Sequence, residues 1–242
     1  MKEFAKKIVK WLAITKLMAF PRKIVAKVVF YVISSKNGVL IFPNDPERLK
    51  VIALSKTINQ EQGLAVSSNE AYQIFMVVKR TAKINGDIAE VGVWKGGSAK
   101  LICEAKGNKA LHLFDTFEGL PDLCEIDDPK QFQKGQALWD VENVKTYLKK
   151  YPNVFFYKGL FPSTAEPIKN KRFSFVNLDV DLYKSTLNCL EFFYSKMNTG
   201  GVIISHDYIG APGVRKAVDD FFEEKPEPII ELADSQCLIV KC

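Results

Sequence analysis

The sequence has few of the residues that build zinc sites or disulfide frameworks, and it lacks a long apolar run. Its five cysteines form no C-x-x-C pair, and there are two histidines in 242 residues. We therefore expect free thiols rather than a zinc ribbon. The uncharged run at residues 28–35 is far shorter than the ~18 residues of a membrane span. Lysines interrupt the N-terminus where a secretory signal would be apolar, so we expect a cytoplasmic protein.

Positive charge is concentrated at the N-terminus. The chain has a formal net charge of +6, yet residues 1–36 hold eight lysines and Arg22 against the single Glu3. That segment alone is +8, so the rest of the chain is slightly acidic. A nucleic-acid-binding protein carries its basic face on the folded domain, and we therefore predict no nucleic-acid partner.

The basic N-terminus has the periodicity of one or two amphipathic helices that are interrupted at Pro21. Lys2, Lys6 and Lys10 recur at helical spacing. Such a helix can lie on an anionic membrane surface, which would place residues 1–35 at the inner face of a membrane. It can equally pack on its own domain or on a partner subunit, so a homo-oligomer also stays open.

A composition change near residue 67 divides the chain. Residues 36–66 contain Pro43 and Pro46 and indicate a linker with one short helix near Glu47–Ser55. A capping box, Ser67 with Glu70, then opens a helix. We accordingly predict a helical extension with linker over residues 1–66 and one folded domain over residues 67–242.

Within residues 67–242, apolar strands alternate with helices. This alternation predicts an α/β fold with a mainly parallel sheet. Two short strands, residues 229–232 and 236–240, end the chain with no helix between them, which indicates an antiparallel edge. Among the other elements we expect a helix over Ser185–Met197 and a strand over Val202–Ser205.

A glycine-rich turn follows the first strand of this domain. Glu90 and Gly92 end the strand, and Gly96 leads into the next helix, where Ser98 is a candidate cap. The following strand ends in Asp115, which is placed to hydrogen-bond a ribose diol.

The glycine spacing separates two classes of cofactor. Gly92-x-x-x-Gly96-Gly97 does not match the G-x-G-x-x-G of dinucleotide enzymes. S-adenosylmethionine has a ribose but no phosphate, and it tolerates looser spacing. We therefore favour S-adenosylmethionine, with a nicotinamide-dependent oxidoreductase as the alternative.

Polar side chains follow two later strands. Asp179 and Asp181 come after the apolar run Phe173–Leu178, and His206 and Asp207 come after the next strand. Ligands of open α/β sheets bind at the carboxyl ends of strands, so Asp179, His206 and Asp207 could converge on one divalent cation. Carboxylates suit Mg²⁺, whereas an imidazole shifts the preference toward Mn²⁺ or Zn²⁺. In the alternative, Asp181 and Asp207 only cap the helices that follow.

These segments resemble the macrocin O-methyltransferases, which methylate sugar hydroxyls. The matching stretches are GDIAEVGVWKGGSAKLI (86–102), LHLFDTFEGLPD (111–122), KGLFPST (158–164), LDVDLYKSTLNCLEFFY (178–194) and GGVIISHDYIGAPGVRKAVDDFF (200–222). The family usually has two adjacent acids before the tyrosine, whereas this chain has His206-Asp207-Tyr208.

The resemblance implies a Rossmann-like class I methyltransferase fold with a seven-stranded sheet. It implies S-adenosylmethionine at Glu90, Gly92, Ser98 and Asp115, and a divalent cation, usually Mg²⁺. It also implies Asp181 as the general base that takes the proton of an acceptor hydroxyl. The acceptor would be a small molecule or glycan, and a lipid-linked one is compatible with the basic N-terminus. Because His206 departs from the pattern, a non-catalytic adaptor on this scaffold is a further alternative.

Overall fold

In a computed structural model of the chain, which describes residues 45–242, a seven-stranded sheet lies between two layers of helices. Predictions that concern residues 1–35 fall outside the described residues. The strands are Asp87–Val91 (β1), Leu111–Asp115 (β2), Val154–Lys158 (β3), Phe173–Leu178 (β4), Met197–Ser205 (β5), Ile230–Glu231 (β6) and Cys237–Val240 (β7).

The strand order is β3-β2-β1-β4-β5-β7-β6. Strands β1 to β5 run parallel, and β7 pairs antiparallel with both β5 and β6. The central strand β4 is buried along its whole length, as expected of a parallel strand that is covered on both faces. The mainly parallel sheet and its antiparallel C-terminal edge are therefore confirmed.

Helices cover both faces of the sheet. They are Pro46–Glu61 (α1), Ser68–Arg80 (α2), Gly97–Ala105 (α3), Val141–Leu148 (α4), Tyr183–Tyr194 (α5) and Pro212–Phe222 (α6), with 3₁₀ turns at Thr81–Lys83 and Glu166–Ile168. Helices α1 to α4 contribute to one apolar core and α5 and α6 to the other. Alternate residues of one strand enter opposite cores, as Leu113 and Phe114 of β2 do.

Helix α1 is longer than the helix expected near Glu47–Ser55. Pro46 does not belong to a loop but occupies the first turn of α1, where the missing N–H costs no hydrogen bond. Asp45 caps the helix by accepting from the N–H groups of Glu47 and Arg48 at 3.1 Å. The helix buries Ile58 completely and packs on α2 and α3, so most of the expected linker is part of the folded body.

The boundary between α5 and β5 also differs from the prediction. We expected the helix to run to Met197, but it ends at Tyr194, and β5 already begins at Met197. Met197 pairs with Phe173, and a bulge lies between this pair and the next, Phe175 with Val202. Gly200 within the strand has a φ of +78°, and its N–H donates to the carbonyl oxygen of Lys241, so the chain stays paired there.

Within residues 45–242, no helix is long and apolar enough to cross a bilayer. All five cysteines are free, and Cys103, Cys189 and Cys237 are buried. The expectation of free thiols is therefore confirmed.

The register of the parallel strands brings the predicted site residues to one edge. Val91 of β1 pairs with Phe114 and with Leu178, and Leu178 pairs with Ser205. The residues that follow these positions are Gly92, Asp115, Asp179 and His206. Four neighbouring strands thus end at the same level of the sheet.

We predict that Gly92→Ala destabilises the fold by about 3 kcal/mol or more. Gly92 has a φ of +86°, and a Cβ there would lie 1.8 Å from the carbonyl oxygen of Asp179. Gly107→Ala is the matched control, because Gly107 has a φ of +60° with nothing near its Cβ position. The control should lose only about 1 kcal/mol from the left-handed backbone. Urea denaturation measures both, and equal losses would contradict the close approach at Gly92.

Candidate active site

A cavity of about 460 Å³ opens at the carboxyl ends of β1, β2, β4 and β5. Its volume suits a small-molecule ligand. Of the predicted site residues, the structure places the following on its wall: Gly92, Ser98, Asp115, Asp179, Asp181, His206 and Asp207. Glu90 and Gly96 lie outside this wall.

Glycine shapes the turn that forms one side of the cavity. Gly96, not Ser98, is the N-cap of α3, and its φ of +81° reverses the chain into the helix. The prediction that Ser98 caps this helix is therefore wrong. Ser98 instead lies in the first turn of α3 and faces the cavity. A side chain on Gly96 would come within 2.7 Å of Val144, so this glycine serves the packing of the turn.

The carboxylate of Asp115 holds the glycine-rich turn in place. Its Oδ2 accepts from the backbone N–H groups of Val93 and Trp94 at 2.7 and 2.8 Å. Its Oδ1 accepts from the N–H of Phe117 at 2.7 Å, while the hydroxyl of Thr116, 3.4 Å away, donates instead to the carbonyl oxygen of Gly119 at 2.7 Å. A carboxylate has about four acceptor positions, so Oδ1 keeps one that a ligand hydroxyl could take.

Glu90 lies behind the cavity wall and has no exposed surface. Its Oε1 accepts from the side-chain amide of Asn177 at 2.9 Å, while its Oε2 has no hydrogen-bond partner. Burial, together with the nearby charges of Asp179 and Asp115, raises the pKa of Glu90 to about 8. Glu90 does not line the cavity, because the strand points its side chain into the interior, and its role at a cofactor stays a prediction.

Asp179, His206 and Asp207 meet at the floor of the cavity. The Nδ1 atom of His206 lies 3.1 Å from Oδ1 of Asp179 and 3.2 Å from Oδ2 of Asp207, in hydrogen-bonding geometry with neither. One potential ligand atom from each of the three residues lies within 4.8 Å of the others. The structure therefore brings together the three predicted metal-ligating residues.

The other ring nitrogen of His206 faces Glu70 and Ser235. Its Nε2 lies 3.4 Å from Oε2 of Glu70 and 3.3 Å from the hydroxyl of Ser235. Burial alone would lower the pKa of His206, but the carboxylates of Asp179, Asp207 and Glu70 raise it well above its ordinary value. Burial alone would raise the pKa of Glu70, but hydrogen bonds from His206 and Ser235 lower it to about 2.

Asp181 and Asp207 both have left-handed backbone conformations, with φ of +62° and +58°. Neither caps a helix: the N-cap positions of α5 and α6 are Leu182 and Ala211, without side-chain caps. The capping alternative is thus excluded for both. Burial and the neighbouring carboxylates of Asp179 and Asp207 raise the pKa of Asp181 to about 9.

The charge of this cluster fits a divalent cation. Glu70, Asp179, Asp181 and Asp207 gather around a single imidazole. Burial and the excess of carboxylates over positive charge together favour the protonated form of Asp181. The unsatisfied Nδ1 of His206 points toward two carboxylates, a donor set of nitrogen and oxygen that suits Mn²⁺ as well as Mg²⁺.

The remaining histidine has a structural role. His112 is buried in β2 between the hydroxyl of Tyr157 and the carboxylate of Asp87, each 3.0 Å from a ring nitrogen. Burial lowers the pKa of His112. Its ring therefore takes no part in the cavity.

Two further segments lie on the cavity wall, although no site residue was predicted in either of them. Residues 63–66, between α1 and α2, lie there although they were assigned to the linker. The loop between β2 and α4 contributes Gly119, Leu120, Pro121, Gln136 and Ala137. Gly119 is the residue of the sequence that could have indicated this loop. It has a φ of +85°, which glycine favours, and it packs against the carbonyl oxygen of Gly135, where the loop folds back on itself.

We predict that Glu90→Gln removes the part of the pH dependence of folding stability that the ionisation of Glu90 causes. Because the pKa of Glu90 is raised on folding, unfolding releases a proton, and wild-type stability falls as the pH rises from about 4.5 to about 8. Glutamine is neutral and keeps the oxygen that accepts from Asn177. Urea denaturation should show the stability advantage of Glu90→Gln growing across this window. The exposed Glu142→Gln on α4 is the control, and a similar trend in that variant would refute a special role of Glu90.

Comparisons with known proteins agree with this geometry. Residues 70–239 match the family Macrocin-O-methyltransferase (TylF). The chain is 31% identical over 153 residues to an 8-demethyl-8-(2,3-dimethoxy-alpha-L-rhamnosyl)-tetracenomycin-C 4'-O-methyltransferase of Streptomyces olivaceus, and 28% identical over 153 residues to a demethyldecarbamoylnovobiocin O-methyltransferase of Streptomyces niveus. Both matches cover 57% of this chain and 58% of the relative.

The fold is also that of a solved structure. The O-methyltransferase NovP superimposes with a TM-score of 0.68 at 22% identity, over 81% of this chain and 97% of NovP. The expected Rossmann-like class I methyltransferase fold is thereby confirmed. Since the family match spans most of the folded body, the chain belongs to the macrocin O-methyltransferase family.

Proposed function

We propose that the protein transfers a methyl group from S-adenosylmethionine to a hydroxyl oxygen of a sugar or a glycosylated small molecule. One observation carries this proposal: the strand register places the glycine turn, Asp115 and the Asp179–His206–Asp207 cluster around a single cavity. A donor site and an acid cluster for the acceptor then share one space, as a direct transfer requires.

The cofactor would lie along the turn between β1 and α3. Gly92 lines this side of the cavity, and its missing side chain lets the end of β1 pack against the carbonyl oxygen of Asp179. Ser98 faces the cavity from the first turn of α3, and Oδ1 of Asp115 offers a ribose hydroxyl the acceptor position that the N–H of Phe117 leaves open. S-adenosylmethionine supplies the electrophilic methyl group.

Asp179, His206 and Asp207 would hold the divalent cation, Mg²⁺ or Mn²⁺. When bound, it supplies a Lewis acid that lowers the pKa of an acceptor hydroxyl. Asp181 reaches the same space and would accept the proton of that hydroxyl. Burial and the neighbouring carboxylates raise the pKa of Asp181 to about 9 without a cation. The charge of a cation beside it would lower that pKa, so that Asp181 would be ionised and able to accept the proton.

Support for the acceptor class comes from the relatives. Their names describe methylation of a rhamnosyl tetracenomycin and of a novobiocin precursor. Apolar side chains on the cavity wall, among them Leu64, Leu120, Leu160 and Phe161, would suit the non-sugar part of such a molecule. Neither alternative gains support. The glycine spacing opposes a dinucleotide, and the convergence of Asp179, His206 and Asp207 at the cavity opposes an adaptor without chemistry.

We predict that Asp179→Asn and Asp181→Asn each lower methyl transfer by about 100-fold or more. The assay follows radiolabelled methyl transfer from S-adenosylmethionine to a panel of rhamnosides, a nucleotide-linked deoxysugar and a glycolipid. EDTA should suppress wild-type turnover, and Mn²⁺ or Mg²⁺ should restore it.

The matched control is Glu142→Gln, whose exposed carboxylate pairs with Lys145 on α4. It should retain full activity. Calorimetry should detect binding of S-adenosylhomocysteine but not NAD to wild type and to both aspartate variants. Full activity of Asp179→Asn in the presence of chelator would refute cation assistance.

We further propose that residues 1–35 attach the enzyme peripherally to anionic membranes. Their high positive charge and helical periodicity support this, and attraction to an anionic surface is worth about 1 kcal/mol per basic residue. The full chain should co-sediment with vesicles that contain phosphatidylserine, and less so as salt increases. A chain without residues 1–35 should stay in the supernatant, as should the full chain with neutral vesicles. Equal binding of both chains to anionic vesicles would refute this role.

A further inference from the structure

We propose that Glu70 is a positioning residue that orients His206 toward the cation site. The inference rests on the proposed function only in so far as that function includes a cation at Asp179, His206 and Asp207. Glu70 itself stands behind the imidazole, on the side away from Asp179 and Asp207.

The hydrogen-bond chemistry assigns the two ring nitrogens different roles. The hydroxyl of Ser235 donates to Oε1 of Glu70 at 2.6 Å, so its oxygen is left to accept. That oxygen lies 3.3 Å from Nε2 of His206, and Oε2 of Glu70, which can only accept, lies 3.4 Å from the same nitrogen. Because both neighbours are hydrogen-bond acceptors, the hydrogen of the neutral ring lies on Nε2. Nδ1 is then the nitrogen that can bind a cation.

The Nδ1 side of the ring is arranged differently. It faces the carboxylates of Asp179 and Asp207 at 3.1 and 3.2 Å without hydrogen-bonding geometry to either. Only about a tenth of the His206 side chain is exposed, so water cannot easily supply another partner. A carboxylate that accepts from one ring nitrogen while the other binds metal is a common way to fix both tautomer and orientation.

Glu70 is itself held firmly enough for this task. It is the third residue of α2 and forms the capping box of this helix with Ser67: its Oε2 accepts from the N–H of Ser67 at 2.7 Å. Its Oε1 also accepts from the N–H of Ser235 at 3.0 Å. Four donors thus converge on this one buried carboxylate, and the start of α2 is tied to the floor of the cavity.

The test measures Mn²⁺ affinity of the full chain by the electron paramagnetic resonance signal of the free ion. Glu70→Gln should weaken Mn²⁺ binding by about 10-fold or more. The NH₂ group of the glutamine would have to face one of the donors that now point at Glu70, and this would displace the ring of His206. Bound Mn²⁺ should show nitrogen-14 coupling in wild type and reduced coupling in Glu70→Gln. An unchanged Mn²⁺ affinity in Glu70→Gln, or no nitrogen coupling in wild type, would overturn the proposal.

Two further variants separate positioning from folding. Ser67→Ala removes the other half of the capping box, so it should lower the melting temperature and leave Mn²⁺ affinity unchanged. In a His206→Asp background there is no ring to orient, and Glu70→Gln should then change Mn²⁺ affinity less than 2-fold. A 10-fold loss that persists in this background would show that Glu70 acts only through the fold.

The same samples distinguish a failure of this inference from a failure of the proposed function. Binding of S-adenosylhomocysteine, measured by calorimetry, tests the methyl-donor site, which Glu70 does not contact. If S-adenosylhomocysteine binds but Glu70→Gln has wild-type Mn²⁺ affinity, only the positioning role is wrong. If Mn²⁺ affinity responds as expected but S-adenosylhomocysteine does not bind, the methyl transfer proposal fails while the positioning role stands.

Discussion

The register of four parallel strands is the constraint on which the site depends. Val91, Phe114, Leu178 and Ser205 lie at one level of the sheet because their neighbours pair in step. Shifting one strand by a single residue would turn its side chains to the opposite face. The glycine turn, the acid of β2 and the polar ends of β4 and β5 can therefore share one cavity only in this register. The apolar cores on both faces hold it there.

Much of this arrangement could be predicted from local sequence signals. Apolar runs that end in Asp115, Asp179 and His206 identify buried parallel strands, and topology then brings their carboxyl ends together. Patterns failed where one residue type has two uses. Pro46 indicated a loop but begins α1. Glu90 carried a motif signal, yet only the direction of its side chain in β1 shows that it is buried.

Long-range partners were beyond the reach of such patterns. Glu70 satisfies a capping box with Ser67 completely, so the sequence offers no reason to look for a further contact. Its neighbours His206 and Ser235 are more than a hundred residues away along the chain. The packing of α2 on the rest of the domain decides that they meet. Contacts of this kind depend on tertiary structure, and single-sequence reasoning cannot derive them.

The hydrogen bonds of Asp115 have a consequence for how a ligand would enter. The protein's own carboxylate already orders the turn that would receive the cofactor, through the N–H groups of Val93, Trp94 and Phe117. Binding there would not have to order a loop, so the conformational entropy lost on association would be small. Ligand entry should resemble insertion into a preformed slot, with the association rate set by access to the cavity and not by folding of the turn.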